Sequence, residues 1–376
     1  MQQTTLGERF RIVKRLAVGG MAEIFLATAY GLEGFEKPVV IKRILPQCAD
    51  VPEFVGMFLD EARLVAKLHH PNIAQVYDVG FDGRCHYFVM EYVNGRDVCD
   101  ILNAAGEPIP FDYAVAIGMG VASGLHAAHE QRGCDGVPLQ IVHRDVSPDN
   151  VIVNRDGAVK LIDFGIAKAA RRQTQTQVGV IKGKSRNMSP EQCTSGKVDR
   201  RSDIFALGIL LWELTVGEPL FCGNNEFEIM RRIATADAPR PSERRRRYPK
   251  KLEAIVMRAL ARDPNARYQT ARDLLLDLDA FAREHRLAVA PHSLGDFVAE
   301  LFPRSRSERS LDSRPPLFLT APSTVTPLPH PPLGSNPPAA VNALVPMRRK
   351  APLMAIGILT AAAVAGAAVT VAALVM

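Results

Sequence analysis

The sequence predicts an α+β fold in which a strand-rich N-terminal lobe, residues 10–93, precedes a larger helical lobe, residues 94–285. Short β-branched runs, separated by Gly-rich or polar turns, fill the first part around one helix. Helical periodicity dominates the second part. The exception is residues 150–162, where Asp156-Gly157 between two alternating apolar runs marks a β-hairpin. A chain of 376 residues, 47% hydrophobic and 23% charged, suits one large two-lobed domain.

The individual elements follow from local periodicity. The predicted strands of the N-terminal lobe are residues 10–16, 22–29, 39–44, 73–81 and 86–93. Its helix covers residues 53–68, where apolar side chains recur on one side and His70-Pro71 follows as a stop signal. In the helical lobe the same pattern predicts helices at residues 203–215, 226–234, 252–261 and 270–285.

The composition changes after the last of these helices. Residues 286–302 form a short amphipathic extension, and residues 303–350 are rich in Pro and Ser, which predicts a disordered, flexible linker. Residues 351–376 carry no charge over 26 positions, and about 20 apolar residues suffice to cross a bilayer. We therefore expect one transmembrane helix, the alternative being an Ala-rich soluble helix. Because the basic triplet at 348–350 precedes this span, the positive-inside rule places the folded domain in the cytoplasm.

Charge and cysteine content restrict the classes of function. The net charge of +6 is accounted for by one basic run, residues 244–247 with Lys250 and Lys251. This run is predicted to be a solvated loop, the alternative being contact with an acidic partner or a membrane surface, and no nucleic-acid partner is expected. Six cysteines without a C-x-x-C pair argue against a metal site or a disulfide framework and suit a reducing cytosol. The N-terminus lacks the pattern of a signal peptide.

Two motifs in the helical lobe carry the chemistry. They are HRDVSPDN at residues 143–150 and, across the predicted hairpin, DFG at residues 163–165. In this order and spacing they closely resemble the catalytic loop and metal-binding motif of the bacterial eukaryotic-like (Hanks-type) serine/threonine protein kinases. The resemblance implies that Asp145 accepts or orients the proton of the substrate hydroxyl, and that Asn150 and Asp163 hold Mg²⁺ or Mn²⁺.

The resemblance also implies a pair of charged residues in the N-terminal lobe. Lys42, which ends the strand Val-Val-Ile-Lys, matches the lysine that grips the α- and β-phosphates of ATP, and Glu61 matches its ion-pair partner. Glu61 stands ten residues before Pro71, the spacing that the family uses, whereas Asp60 and Glu53 do not fit this register. The alternatives are a solvated edge lysine and a surface carboxylate.

The ATP site implied by the family combines a phosphate-covering loop with a hinge between the lobes. Its residues are Leu16, Ala17, Val18, Gly19, Gly20 and Ile24 in the loop, and Met90, Glu91, Val93 and Asp97 at the hinge. Ala17 and Ala22 replace the first and third glycines of the family pattern, while Gly19 and Gly20 still allow close backbone approach to phosphate. Asp97 has two interpretations, a ribose contact or a helix N-cap.

Three further matches are structural rather than chemical. Glu191, in Ser-Pro-Glu at residues 189–191, is expected to pair with Arg267, and Asp203 is expected to brace the catalytic loop from below. The resemblance covers residues 10–283 and implies the bilobal protein kinase fold, with an antiparallel sheet and one helix in the N-lobe, a helical C-lobe and the ATP cleft between them.

Two positions depart from the family pattern. Ser147 stands where serine/threonine kinases usually carry lysine, and Lys184 stands where they usually carry threonine. We expect Lys184 to supply the missing catalytic cation, the alternative being a lysine that points into solvent. Thr174 and Thr176 lie in a basic stretch and are expected autophosphorylation sites, or else ordinary polar loop residues.

The sequence thus predicts a membrane-anchored bacterial serine/threonine protein kinase that uses Mg-ATP and acts on protein substrates. Its expected location is the inner (plasma) membrane, as a single-pass protein with the kinase domain in the cytoplasm. Ala362, Gly366 and Thr370 recur every four residues in the predicted span, which indicates a homodimer. The alternatives are a pseudokinase scaffold that binds nucleotide without turnover and a small-molecule phosphotransferase of kinase-like fold.

Overall fold

The computed structural model describes residues 5–6, 9–165, 186–194 and 196–303. Its N-terminal lobe is built on an antiparallel sheet whose six strands among these residues lie in the order β1-β2-β3-β4-β6-β5. The strands are β1 Thr5–Leu6, β2 Phe10–Val18, β3 Ala22–Tyr30, β4 Glu36–Ile44, β5 Val76–Phe81 and β6 His86–Glu91. A 3₁₀ turn at Leu32–Gly34 joins β3 to β4. The predicted antiparallel sheet is confirmed.

One helix packs beneath this sheet. After a short helix α1, Pro46–Ala49, the helix α2 runs Pro52–Val65, with Pro52 in the first turn, where its missing N–H costs nothing. The chain then tightens, since Leu68 N bonds the carbonyl of Val65 at 2.9 Å, so α2 ends three residues earlier than predicted. The apolar face of α2 packs on β5 and β6 and brings the Phe58 and Phe88 rings to 5.1 Å.

Helices dominate the C-terminal lobe, as predicted. They are α3 Val98–Ala105, α4 Phe111–His129, α5 Pro190–Cys193, α6 Arg200–Val216, α7 Glu226–Thr235, α8 Pro241–Arg244, α9 Lys250–Ala259, α10 Ala271–His285 and α11 Pro291–Leu301. Helix α6 is buried on all sides from Ser202 to Val216, and α4, α9 and α10 pack around it. A helix that is enclosed in this way forms the centre of the lobe.

A small antiparallel sheet joins the lobes on the cleft side. It contains β7 Gly95–Asp97, β8 Val151–Asn154 and β9 Val159–Leu161, in that order. The β8–β9 hairpin confirms the turn predicted at Asp156-Gly157, and Gly157 has the positive φ of 78° that the turn requires. β8 begins directly after Asn150, and β9 ends two residues before Asp163.

The basic run is only in part the solvated loop that was predicted. Arg244 ends α8, Lys250 and Lys251 begin α9, and one arginine between the two helices is not solvated. Arg245 turns inward, donating from Nη1 to the carbonyls of Thr215 (2.8 Å) and Ile109 (3.2 Å), and its guanidinium lies 4.0 Å from the Phe111 ring centre. Arg246 and Arg247 are exposed, as predicted. The prediction is wrong for Arg245 because its partners are distant in sequence and invisible to a local charge pattern.

The predicted linker and transmembrane span, residues 304–376, lie outside the described residues. In the described ranges, which end at residue 303, no helix combines the length and the apolar character that crossing a bilayer requires.

Candidate active site

Lys42 lies between two carboxylates at the mouth of the cleft. Its Nζ donates to Glu61 Oε1 at 2.6 Å and to Asp163 Oδ1 at 3.1 Å. The Lys42 and Glu61 side chains are 14% and 6% exposed. Burial by itself lowers the pKa of Lys42, but the charges of Asp163 and Glu61 outweigh it and raise the pKa above its ordinary value. The structure thus brings β4, α2 and the DFG motif together around the Lys42 ammonium group.

The catalytic loop is held from below by Asp203 on α6. Asp203 Oδ2 accepts from His143 N and His129 Nε2, both at 2.8 Å, and Oδ1 accepts from Arg144 N at 2.7 Å. Both Asp203 and His129 side chains are 1% exposed. Arg144 has a φ of 65°, a left-handed conformation that costs a non-glycine residue about 1–3 kcal/mol. The bracing role predicted for Asp203 matches this geometry.

Asp145 and Asn150 are joined directly. Asn150, the last residue of a 3₁₀ turn, donates from Nδ2 to Asp145 Oδ2 at 2.6 Å and to the Asp145 carbonyl at 2.8 Å. These bonds fix the orientation of the Asp145 carboxylate, and they direct the side-chain amide oxygen of Asn150 away from Asp145. An amide oxygen and the Asp163 carboxylate are the hard ligands that Mg²⁺ prefers, so the residues present fit this metal.

Phe164 anchors the DFG motif in the core beneath α2. Its side chain is buried, its ring lies 4.5 Å from that of His143, and Gly165 N bonds the His143 carbonyl at 2.8 Å. Met90, the first of the predicted hinge residues, is also buried. Behind it remains a cavity of about 10 Å³, room for one water molecule. The packing around Phe164 therefore holds α2 close enough for Glu61 to reach Lys42.

The phosphate-covering loop is a tight β2–β3 turn. Gly19 N donates to the Ala22 carbonyl at 2.7 Å, while Ala17 pairs with Ile24 directly after a register shift between Arg15 and Ala17. Neither Ala17 nor Ala22 has a positive φ, so alanine replaces glycine there without backbone strain. Leu16 and Val18 are exposed and Ile24 is half-buried. Gly20 accepts a long contact from the Cys48 thiol.

A buried ion pair that the motifs did not reveal fixes the base of this loop. Glu23, on β3, accepts from Arg43 Nη2 at 2.7 Å and Nε at 3.1 Å, and the Glu23 side chain is 9% exposed. The two residues face each other across β3 and β4. An alternation of charge on two paired strands is the only signal in the sequence that indicates this contact.

The hinge residues are placed by contacts on both sides. Glu91 accepts from Lys160 Nζ at 2.9 Å and from Gln75 N at 3.2 Å, which ties the hinge to β9, another contact that the motifs missed. Val93 is buried. The Asp97 side chain accepts a hydrogen bond from Asp100 N at 2.7 Å, and Asp97 directly precedes α3. The N-cap interpretation is therefore confirmed. Burial is the main reason that the pKa of Asp97 is raised. A ribose contact stays a prediction.

The expected Glu191–Arg267 pair closes the lower side of the site. Arg267 donates from Nη1 and Nη2 to the two Glu191 oxygens at 2.9 Å each, and its side chain is fully buried. Ser202 Oγ donates to the same carboxylate at 2.5 Å. Gln192 Nε2 reaches the Arg144 carbonyl at 3.0 Å. Helix α5 is therefore linked both to α6 and to the catalytic loop.

Of the two positions that depart from the family pattern, Ser147 is among the described residues and Lys184 is not. Ser147 is buried next to the 3₁₀ turn that carries Asn150. Lys184, Thr174 and Thr176 lie outside the described residues, so their roles stay predictions.

Comparison with known proteins agrees with the geometry. A family model described as "Protein kinase domain" matches residues 10–277. Tyrosine-protein kinase MasK of Myxococcus xanthus is 44% identical over 303 residues, which is 80% of this chain and 47% of MasK. Serine/threonine-protein kinase PknB of Mycobacterium leprae is 37% identical over 278 residues, 73% of this chain and 43% of PknB. The chain thus spans less than half the length of these two curated relatives.

A solved structure supports the same assignment. The crystal structure of the Mycobacterium tuberculosis PknI kinase domain aligns over 74% of this chain and 98% of its own length. The two share 26% sequence identity with a TM-score of 0.54. Sequence match, fold and site geometry agree, and the chain belongs to the protein kinase family.

Proposed function

We propose that this chain is a serine/threonine protein kinase that transfers the γ-phosphate of Mg-ATP, or Mn-ATP, to hydroxyl groups of protein substrates. The observation that carries the proposal is the position of Lys42 between Glu61 and Asp163. The Lys42 ammonium group, which is suited to bind phosphate, lies 3.1 Å from the Asp163 carboxylate, which is suited to bind a metal. In the same chain the catalytic loop is held by hydrogen bonds to Asp203. A scaffold without turnover has no need to keep all of these groups in register.

Each residue has a separate task in the proposed reaction. Lys42 binds the α- and β-phosphates, and Asn150 and Asp163 hold the divalent ion. When bound, that ion neutralises charge on the β- and γ-phosphates. Asp145, oriented by Asn150, accepts the substrate hydroxyl proton as the oxygen bonds to the γ-phosphorus and the bond to ADP breaks.

Specificity for serine and threonine is the finer part of the proposal. PknB is named a serine/threonine kinase and MasK a tyrosine kinase, so the relatives point in two directions. The residues Val-Ser-Pro at 146–148 do not resemble the Ala-Ala-Arg-Asn type of loop found in tyrosine kinases, which favours serine and threonine.

Phosphoamino-acid analysis tests this proposal. The full chain is incubated with radiolabelled ATP, Mg²⁺ or Mn²⁺ and a generic protein substrate, and the product is hydrolysed, with Asp163→Ala as the control. We expect phosphoserine and phosphothreonine that the control lacks. Phosphotyrosine alone would overturn the hydroxyl assignment, and nucleotide binding without transfer would favour the pseudokinase scaffold.

The proposal includes an anchor in the inner membrane. The uncharged residues 351–376 and the basic triplet at 348–350 support a single-pass helix with the kinase domain in the cytoplasm. Gly366, between Ala362 and Thr370, supports self-association of that helix. We expect the chain to stay in the membrane fraction after carbonate washing, and Gly366→Ile to weaken the signal of a membrane two-hybrid assay. Release of the chain by carbonate contradicts the membrane anchor. An unchanged two-hybrid signal in Gly366→Ile contradicts self-association of the helix.

Autophosphorylation is proposed at Thr174 and Thr176. Lys168, Arg171 and Arg172 precede them in sequence, and a phosphate gains charge-assisted hydrogen bonds in such a setting. Mass spectrometry of the ATP-treated chain should find phosphate on at least one of the two threonines, and none in the Asp145→Asn variant. An active preparation without phosphate on either residue rules the proposal out.

A further inference from the structure

Helix α11 lies beyond the matched kinase domain, residues 10–277, and still packs on the catalytic lobe. It contacts α3, α4 and β8, and it buries Leu294 and Val298. The Phe297 ring stacks on that of Tyr113 with their centres 4.4 Å apart. The segment that leads into α11 is also fixed, because Ala288 N donates to Asp112 Oδ2 at 3.0 Å.

Two glycines, one in the hairpin turn and one on α11, lie where the two backbones approach each other. A Cβ on Gly157, in the turn of the β8–β9 hairpin, would lie 1.6 Å from the Pro291 carbonyl oxygen at the start of α11. A Cβ on Gly295, one turn further along α11, would lie 2.6 Å from the Arg155 carbonyl oxygen and 3.0 Å from Gly157 N. Backbone touches backbone on both sides, so a side chain at either position must push the helix and the hairpin turn apart.

The other end of the same hairpin enters the active site. β8 follows Asn150 without a gap, and Ile162, the residue before Asp163, donates from its backbone N to the Asn150 carbonyl at 3.0 Å. β8 has four residues and β9 has three, so at about 3.3 Å per residue the hairpin is no longer than about 13 Å. A displacement of its turn is therefore transmitted to the two residues proposed to hold the metal.

We propose that α11 is a positioning element of the catalytic site, which sets the metal ligands Asn150 and Asp163 by clamping the hairpin turn at Gly157. The inference rests on the metal role assigned under the proposed function. It extends the functional catalytic unit from residue 277 to about residue 303, and it makes Gly295 and Gly157 positioning residues rather than neutral packing positions.

Three variants of the full chain test the clamp. Gly295→Val forces α11 away from the turn. Gly157→Asn adds a Cβ at the same contact while keeping the hairpin, since asparagine tolerates the left-handed conformation. Ala299→Val is the matched control, because Ala299 is an exposed residue one turn further along α11.

Two measurements are made without turnover. The first is hydrogen exchange of the backbone amides of residues 151–161, and the second is the affinity for Mn²⁺ in the presence of ADP, by calorimetry. For both glycine variants we expect faster exchange in the hairpin and roughly tenfold weaker Mn²⁺ binding, since removing support behind a metal ligand commonly costs about 10–100-fold. The half-saturating Mg²⁺ concentration for activity should rise by the same factor while the KM for protein substrate is unchanged.

The double variant separates a clamp from general destabilisation. If both glycines act by displacing α11, Gly157→Asn adds little once Gly295→Val is present, whereas independent effects multiply. Two outcomes would overturn the inference without affecting the assignment of kinase activity. In the first, the effects of the two glycine variants multiply in the double variant. In the second, the glycine variants have the same Mn²⁺ affinity and the same hairpin exchange as Ala299→Val. Wild-type chain that binds Mn²⁺-ADP without phosphoryl transfer would instead refute the proposed function and leave the clamp to be judged by the same variants. Wild-type chain that binds no Mn²⁺ refutes the ligand assignment, and the clamp with it.

Discussion

Replacing Asp203 by asparagine is predicted to disorganise the catalytic loop at a cost that can be worked out from its three hydrogen bonds. In the least damaging orientation the amide oxygen keeps the bonds from His143 N and His129 Nε2, and the new NH₂ group faces Arg144 N. Two donors then meet where the donor–acceptor distance is now 2.7 Å. Losing a charge-assisted bond costs about 1.5–3 kcal/mol and leaving a buried donor unpaired about 1–3 kcal/mol. The two costs together span about 2.5–6 kcal/mol, and we take the middle of that range, about 3–5 kcal/mol.

The measurement has two parts. Urea titration should show the free energy of unfolding reduced by about 3–5 kcal/mol. In the fraction that remains folded, kcat should fall roughly tenfold to a hundredfold, because Arg144 is no longer held in its left-handed conformation. The KM for ATP should stay near the wild-type value, since Lys42 and Glu61 lie in the other lobe.

Asp199→Asn is the matched control. Asp199 caps the same helix, α6, and its side chain is 32% exposed, and asparagine caps as well as aspartate. The loss expected there is below about 1 kcal/mol. If the two variants lose the same stability, or if Asp203→Asn keeps the wild-type kcat, the bracing argument is wrong.

Three other predictions concern chemistry, pH and the departures from the family pattern. Asp145→Asn should lower kcat by about 10²–10⁴-fold with little change in stability, and a variant that keeps a tenth of the wild-type kcat contradicts the role of Asp145. Glu191→Gln should destabilise the fold by about 3–5 kcal/mol at neutral pH, because Arg267 is left buried without its partner. Burial alone raises the pKa of Glu191, but the bonds from Arg267 and Ser202 outweigh it and lower the pKa below its ordinary 4.5, so this difference should shrink as the pH falls below about 4.5. A difference independent of pH between 3 and 7 would show that the charge of Glu191 is not responsible. Lys184→Thr should depress kcat and added Ser147→Lys should restore much of it, whereas additive effects would show that Lys184 does not replace the missing lysine.

Local patterns in the sequence predicted most of the fold. The strands of the N-lobe other than β1, the hairpin at Asp156-Gly157 and the helix carrying Glu61 all follow from signals within about ten residues. The short strand β7 was missed because three residues, Gly95–Asp97, carry no alternation that can be recognised. Helix α11 was predicted only as an amphipathic extension, and its packing depends on Gly157, which lies more than a hundred residues earlier.

The residues of the candidate site likewise fall into those that the sequence predicted and those that it did not. Lys42, Glu61, Asp145, Asn150 and Asp163 were found because fixed spacing in motifs marks them, and the structure brings them together. The pairs Glu23–Arg43 and Glu91–Lys160, and the inward turn of Arg245, were not found. Each joins residues whose proximity is created only by folding, and apart from the charge alternation on β3 and β4 for Glu23–Arg43, no local pattern indicates these contacts.

The charges around Lys42 have a consequence for what can enter the cleft. Two carboxylates, those of Glu61 and Asp163, bond the Lys42 ammonium group, and a third, that of Asp145, is held by Asn150 in the catalytic loop. Among these four described ionisable groups negative charge is in excess. A nucleotide that arrives as a bare polyanion is repelled by this field, whereas one that arrives with its divalent ion has lost much of the opposing charge. Under the proposed function, we therefore expect the cleft to distinguish metal-bound from metal-free nucleotide at the moment of approach, before any phosphate reaches Lys42.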